Sequence, residues 1–174
     1  CGIPRRLAIL PGSVAFGATS LLIPLYFVSI GGDTLLLGVL AGTAAAAGAP
    51  GALLFGRLAD RGGKRRVLVL VALGLAAGAI VLVSLTESVW LVIAGNAVLW
   101  FAAGAVAPVL TLLVTVGVLE RDWPGRFAAL NRYQGWGWAG GLVLGLAWTT
   151  LLAAPLGVVA AQRTLLWLSA GLTG

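Results

Sequence analysis

Long apolar runs separated by short polar stretches dominate this chain. A transmembrane helix needs about 20 mostly apolar residues, and each run except the last has that length. Turn-forming segments divide the runs, among them Gly31-Gly32-Asp33 and Thr86-Glu87-Ser88. The pattern predicts six membrane spans, with the sixth incomplete, over about 7–30, 34–55, 67–85, 89–119, 127–154 and 164–174.

The composition supports a membrane protein. Of the 174 residues, 60% are apolar and only 9% are charged, whereas a soluble domain carries about 25% charged residues. The fold class expected is therefore an all-α integral membrane protein. The chain has no histidine and one cysteine, Cys1, so we expect no internal disulfide, metal site or cofactor. Because it starts without Met and ends inside an apolar run, we expect it to be a fragment cut at both ends.

The cations indicate an orientation. With the N-terminus inside, ten of the eleven Lys and Arg residues fall in or beside inner segments, and only Arg163 lies in an outer turn. Cytoplasmic loops collect Lys and Arg. We therefore predict a multi-pass protein of the cell (plasma) membrane with a cytoplasmic N-terminus. The net charge of +6 then reports orientation in a lipid bilayer, and no nucleic-acid partner is expected.

One basic stretch, 56–68, separates the second and third runs. It holds five of the eleven Lys and Arg residues, and the glycines at 62 and 63 allow the backbone to turn where a side chain would clash. We predict a tight cytoplasmic hairpin here. Asp60 is a lone carboxylate at the inner edge of the second helix, where it is suited to accept hydrogen bonds from the start of another helix.

This stretch resembles the signature of the major facilitator superfamily, Gly-x-Leu-Ala-Asp-Arg-x-Gly-Arg-Lys-x-x-Leu, found between helices two and three of those transporters. Lys64 is a basic-for-basic change. Arg65 falls at the Lys of the signature and is another such change. The matching residues are Gly56, Leu58, Ala59, Asp60, Arg61, Gly63 and Leu68.

The resemblance implies a transporter of twelve helices whose two halves rock about a central cavity, each half built from two inverted three-helix repeats. The chain is then similar to the N-terminal half, and its partner is the missing C-terminal half of six helices. Helices one, two, four and five are expected to face the cavity, with three and six outside. The resemblance also makes Gly56, Asp60, Arg61, Gly63, Lys64 and Arg65 a conformational-switch motif.

The fifth run carries candidates for a substrate pathway. At 3.6 residues per turn, Asn131, Gln134 and Trp138 fall on one helix face. Amides within lipid are costly unless they meet protein, water or a ligand, so this face either lines the pathway or bonds to a neighbouring helix. Trp100, in the fourth run, offers an aromatic wall or packs within the protein. Both interpretations stay open, for the helix face of Asn131 and for Trp100.

Arg132 is a further candidate, with two interpretations. Its side chain either bends back to the headgroups or stacks on Trp136. The stacked cation would attract an anionic solute or a carboxylate of the other half.

Two departures from the family pattern bear on energy coupling. Trp100 lies four residues before Gly104, where many proton-coupled members carry arginine, and Ala139 precedes the paired glycines where antiporters carry proline. No carboxylate lies within a predicted span. These departures favour facilitated transport, or coupling through the missing half.

The function expected is that of a secondary transporter, which moves a small organic solute by alternating access. The alternative is a non-transporting membrane receptor or an assembly subunit on the same fold. An integral membrane enzyme is disfavoured, since the chain has no histidine and no intramembrane acid for catalysis.

Overall fold

The computed structural model describes residues 9–62, 65–115, 117 and 119–173. This part of the chain is helical almost throughout and contains no strand, which agrees with the expected all-α class. Its elements, in chain order, are α1 (Ile9–Ser29), α2 (Thr34–Gly62), α3 (Arg65–Leu85), α4 (Val89–Thr115), a 3-10 turn (Glu120–Asp122), α5 (Trp123–Leu156) and α6 (Val158–Thr173).

Four helices in the described part are long and apolar enough to cross a membrane, so the chain is a multi-pass membrane protein. These spans are Pro11–Ser29, Thr34–Arg61, Val67–Leu85 and Val89–Leu112. Helix α6 has only 16 residues, about 24 Å at 1.5 Å per residue, and a hydrocarbon layer is about 30 Å thick. The structure therefore shows four membrane-spanning helices in its described part, whereas the sequence predicted six spans.

Helix α2 is longer than the sequence pattern suggested. Its first turn is capped by Asp33, whose Oδ1 accepts a hydrogen bond of 2.7 Å from the backbone N–H of Leu36. At its other end, the helix continues to Gly62, through residues expected to form a hairpin loop. The reason is packing, because Phe55 and Ala59 lie four residues apart on one face and are both buried.

The helices pack as two close pairs with two further helices behind them. Helix α1 lies along α5, and α2 lies along α4. Helices α3 and α6 contact each other, and α3 also packs on α4 while α6 packs on α1. Exchanging the triplet α1–α3 for the triplet α4–α6 leaves this pattern of pairs unchanged. The fold is therefore an internal repeat of three helices.

Glycines make both close pairs possible. A β-carbon on Gly17 would collide with the carbonyl of Trp138 in α5, and one on Gly104 would collide with the carbonyl of Gly48 in α2. Because glycine has no side chain, the backbones approach more closely than other residues would allow.

The same repeat relates a second set of contacts. Gly141 abuts the carbonyl of Val14, and Gly51 abuts that of Phe101. Val14 to Phe101 and Gly17 to Gly104 are both steps of 87 residues, while Gly48 to Trp138 and Gly51 to Gly141 are both steps of 90. The two crossings are therefore built at equivalent positions of the repeat.

A polar cluster joins three elements at one end of the bundle, which we call the Tyr26 end. The Tyr26 hydroxyl, fully buried, donates a 2.6 Å hydrogen bond to the carbonyl of Thr86. It accepts hydrogen bonds of 3.2 and 3.1 Å from Nε and Nη2 of Arg163. Nη2 of Arg163 also lies 2.9 Å from Oε1 of Glu87. Helix α1, the α3–α4 turn and α6 are thereby tied together.

Candidate functional site

A cavity of about 610 Å³ lies among α1, α3, α4 and α5. It extends from Gly12, Val69 and Leu110 toward Thr19 and Ile80 near the middle of the bundle. The first three residues lie near the end of the bundle that carries Arg57, Arg61, Arg121 and Arg126, which we call the basic end. The volume is within the range of about 300–1,000 Å³ that small-molecule sites occupy.

Aromatic side chains form part of the cavity wall. The rings of Phe16 and Trp100 meet edge to face, with centroids 5.2 Å apart and an angle of 76° between planes. On the α5 side, Nε1 of Trp138 donates a 3.2 Å hydrogen bond to Oγ of Ser20. Gly17 lets the backbone of Trp138 come close to α1. Neighbouring groups thus hold both tryptophans.

Few polar groups reach the cavity. The buried hydroxyl of Thr19 donates within its own helix, with the carbonyls of Ala15 and Phe16 at 2.9 and 3.0 Å. The half-buried amide of Gln134 has no hydrogen-bond partner among the residues that the structure describes. No lining residue among those that the structure describes is ionisable. The described part of the wall is therefore mostly apolar and uncharged, and Gln134 supplies its side-chain amide.

The cavity includes some of the pathway candidates and leaves others outside. Trp100, Gln134 and Trp138 line it, and Asn131 and Arg132 do not. Both of the latter are exposed, because they lie below Gln134, closer to the basic end of α5.

The aromatic ring beside the guanidinium of Arg132 is that of Tyr133 and not that of Trp136. Cζ of Arg132 lies 5.6 Å from the centroid of Tyr133, whereas the Trp136 side chain is 73% exposed. Of the two interpretations of Arg132, the structure does not show the stack on Trp136, because that indole stands on an open face of α5.

The cavity within this half is lined by a different set of helices from those expected to face the cavity between two halves. Helix α3 contributes Val69, Leu73, Ala76 and Ile80, while α2 contributes no described residue. The close pairing of α2 with α4 explains its absence, because the two helices approach through glycines. The four α3 positions recur at intervals of three and four residues, a helical period that was the available signal. In α3 this period could not be recognised from the sequence, because nearly every position of the helix is apolar.

The switch motif divides between described and undescribed positions. Gly56, Asp60 and Arg61 belong to the last turns of α2, and the side chains of Asp60 and Arg61 are exposed. The carboxylate of Asp60 has no partner among the described residues. Gly63 and Lys64 lie outside the described residues, and Arg65 begins α3, where its backbone alone is described.

Comparisons with known protein families, with characterised proteins and with solved structures found no match to this chain.

Proposed function

We propose that the chain is half of a secondary transporter of the major facilitator type, which moves a small organic solute by alternating access. The observation that carries this proposal is the cavity of about 610 Å³ between the α1–α5 pair and helices α3 and α4. A cavity of this size takes a small organic molecule, and in a transporter of this type access to the site changes when the two halves move.

The internal repeat supports the same proposal. Transporters of this kind are often built from inverted repeats, with the substrate near the repeat interface. Here Trp100 comes from the second triplet and Phe16 from the first, and they meet at the cavity wall. The α1–α5 and α2–α4 pairs are each closely packed, whereas α1 and α4 have little mutual contact. The gap between the pairs is thus the natural place for a solute.

The switch motif supplies the remaining argument. Asp60 is exposed at the basic end with no partner among the described residues, as expected for a carboxylate that bonds to the other half in one conformation. The cytoplasmic side of the membrane is the proposed location of that end, because its helices carry most of the cations.

The experiment that tests this function is solute flux in proteoliposomes containing the full-length protein. The liposomes are offered a set of radiolabelled neutral and charged solutes of cavity size. Saturable flux above protein-free liposomes is expected for at least one solute. In Ala107→Trp, an indole fills the cavity and should abolish that flux. In the matched variant Ala94→Trp, the indole lies on an exposed position of the same helix that is not part of the cavity, and flux should persist.

The alternative, a receptor or assembly subunit, gives a different result. Solute would then bind to the wild-type protein and not to Ala107→Trp, with flux no faster than in protein-free liposomes. That result would replace the transporter proposal.

A further inference from the structure

The cavity has a wall without charge although the chain carries many cations. Of the described residues that line it, none is Lys, Arg, Asp or Glu. The described arginines on α2, the 3-10 turn and the start of α5, namely Arg57, Arg61, Arg121, Arg126 and Arg132, are exposed at the basic end. Arg163 is engaged with Tyr26 and Glu87 at the opposite end. An ion entering the cavity would lose water without gaining a counter-charge, which is strongly unfavourable.

Two aromatic side chains of the wall, Trp100 and Trp138, are in contact with neighbouring side chains. Trp100 meets the edge of Phe16, and Trp138 is fixed by its hydrogen bond to Ser20. Ser20 is itself oriented, since its hydroxyl donates a 2.8 Å hydrogen bond to the carbonyl of Gly17. Aromatic rings contribute more than their area when they pack against another ring. Because their neighbours already hold both indoles, little side-chain freedom is lost when a ligand binds.

The amide of Gln134 adds a polar requirement. It offers two donors and one acceptor, and no described residue satisfies them. By contrast, the hydroxyl of Thr19 bonds to its own helix. A ligand with a neutral amide or hydroxyl group would therefore meet a complementary partner in Gln134.

We propose that the cavity binds a neutral solute that carries an aromatic ring and an uncharged hydrogen-bonding group. The ring packs against Trp100 and Trp138, and the polar group bonds to Gln134. The inference rests on the proposed function only in that the bound solute is the one transported.

The test is equilibrium dialysis of the purified full-length protein in detergent against radiolabelled 1-naphthamide. This probe has a ring, an amide and no charge. Two analogues change the charge (1-naphthoate and 1-naphthylmethylammonium), and one removes the aromatic ring (cyclohexanecarboxamide). We expect 1-naphthamide to bind more than about tenfold more tightly than either charged analogue, and about two- to tenfold more tightly than the non-aromatic amide.

Variants separate cavity binding from partition into detergent. Ala107→Trp should abolish saturable binding, while Ala94→Trp should retain it. Trp100→Leu and Trp138→Leu should each weaken binding about two- to tenfold. Trp90→Leu, at a 68% exposed position outside the cavity, should leave it unchanged. Trp100→Phe keeps a ring if the leucine variant fails to fold, and should lose less affinity than Trp138→Leu.

Gln134→Leu tests the polar contact. It should reduce the affinity for 1-naphthamide and leave that for 1-methylnaphthalene, which has no amide, unchanged.

The outcomes are distinct from those of the flux experiment. Equal or tighter binding of a charged analogue, or equal losses in the Trp90 and Trp100 variants, would overturn the inference. If the protein transports some other solute while 1-naphthamide fails to bind, this inference fails and the proposed function stands. If 1-naphthamide binds as expected and no solute is carried, the proposed function fails and the binding site stands.

Discussion

The carbonyl of Trp138 lies so close to the α-carbon of Gly17 that no β-carbon fits between them. This contact brings α5 against α1, and it also determines where the indole of Trp138 meets Ser20. The corresponding carbonyl in the other triplet is that of Gly48, which lies against Gly104. Helix packing and the cavity wall therefore depend on the same glycine positions.

Alanine at these crossings should destabilise the protein. Gly141→Ala places a methyl group against the carbonyl of Val14, and Gly51→Ala places one against that of Phe101. We expect each to lower the free energy of unfolding by about 1–3 kcal/mol, the usual cost of overpacking. Thermal unfolding in detergent, followed by tryptophan fluorescence, measures the loss.

Neighbouring glycines supply the controls for this prediction. A β-carbon at Gly140 or at Gly42 would meet no atom within 4 Å. Gly140→Ala and Gly42→Ala should therefore leave stability unchanged or raise it by about 0.5–1 kcal/mol, because alanine favours the helix. Equal losses of stability in Gly141→Ala and Gly140→Ala, or in Gly51→Ala and Gly42→Ala, would show that the close helix crossings are not where the structure has them.

The Tyr26 cluster leads to a second prediction. Tyr26→Phe removes the hydroxyl that donates to Thr86 and accepts from Arg163, leaving a partly buried carbonyl and part of a guanidinium unpaired. We expect a loss of about 1–3 kcal/mol in unfolding free energy. Glu87→Gln should cost less than about 1 kcal/mol, since Glu87 is exposed and such ion pairs are weak.

Thermal unfolding at low and high salt separates these two contributions. The loss in the Tyr26 variant should persist in salt, whereas that in the Glu87 variant should shrink. A larger loss at Glu87 than at Tyr26 would contradict the cluster as described.

Asp60 leads to a third prediction. If its carboxylate bonds to the proposed second half in one conformation, Asp60→Asn should reduce solute flux well below wild type while membrane insertion stays normal. An anion at a helix N-terminus contributes about 0.3–1 kcal/mol when exposed and up to about 2 kcal/mol when partly buried. Asp122→Asn, which removes another exposed carboxylate near the basic end, is the control and should keep wild-type flux. Wild-type kinetics in the Asp60 variant would refute the proposed role of the motif.

The sequence pattern predicted the helices well where turns interrupt the apolar runs. Gly31, with a φ of 98°, and Glu87 lie in turns between helices, as expected. The pattern misjudged α2, because Arg57 and Asp60 looked like a loop while Phe55 and Ala59 keep that segment helical by packing. Charge alone does not end a helix whose opposite face is buried.

The cavity was less predictable than the helices. Gln134 and Trp138 were found from their spacing, because polar or aromatic residues stand out on a membrane helix. Leu73 and Ala76 were missed, since an apolar side chain looks the same whether it faces lipid, protein or a cavity. The sequence pattern also could not predict that Asn131 lies outside the cavity. Helical spacing specifies the face on which a residue lies and not its depth along α5.

Alternating access is the central claim, and cysteine labelling at Ala103 tests it most directly. Ala103 lines the cavity, and a single cysteine there, with Cys1 replaced by serine, is treated with a membrane-impermeant maleimide. The reagent is applied to intact cells and, separately, to inside-out vesicles. Single cysteines at Gly62 and Ser88 serve as controls for sidedness, and should react only from the cytoplasm and only from outside, respectively.

The account predicts that the cysteine at position 103 reacts from both sides, and that Ala107→Trp blocks the reaction. Reaction from one side alone, with both controls behaving as expected, would contradict alternating access.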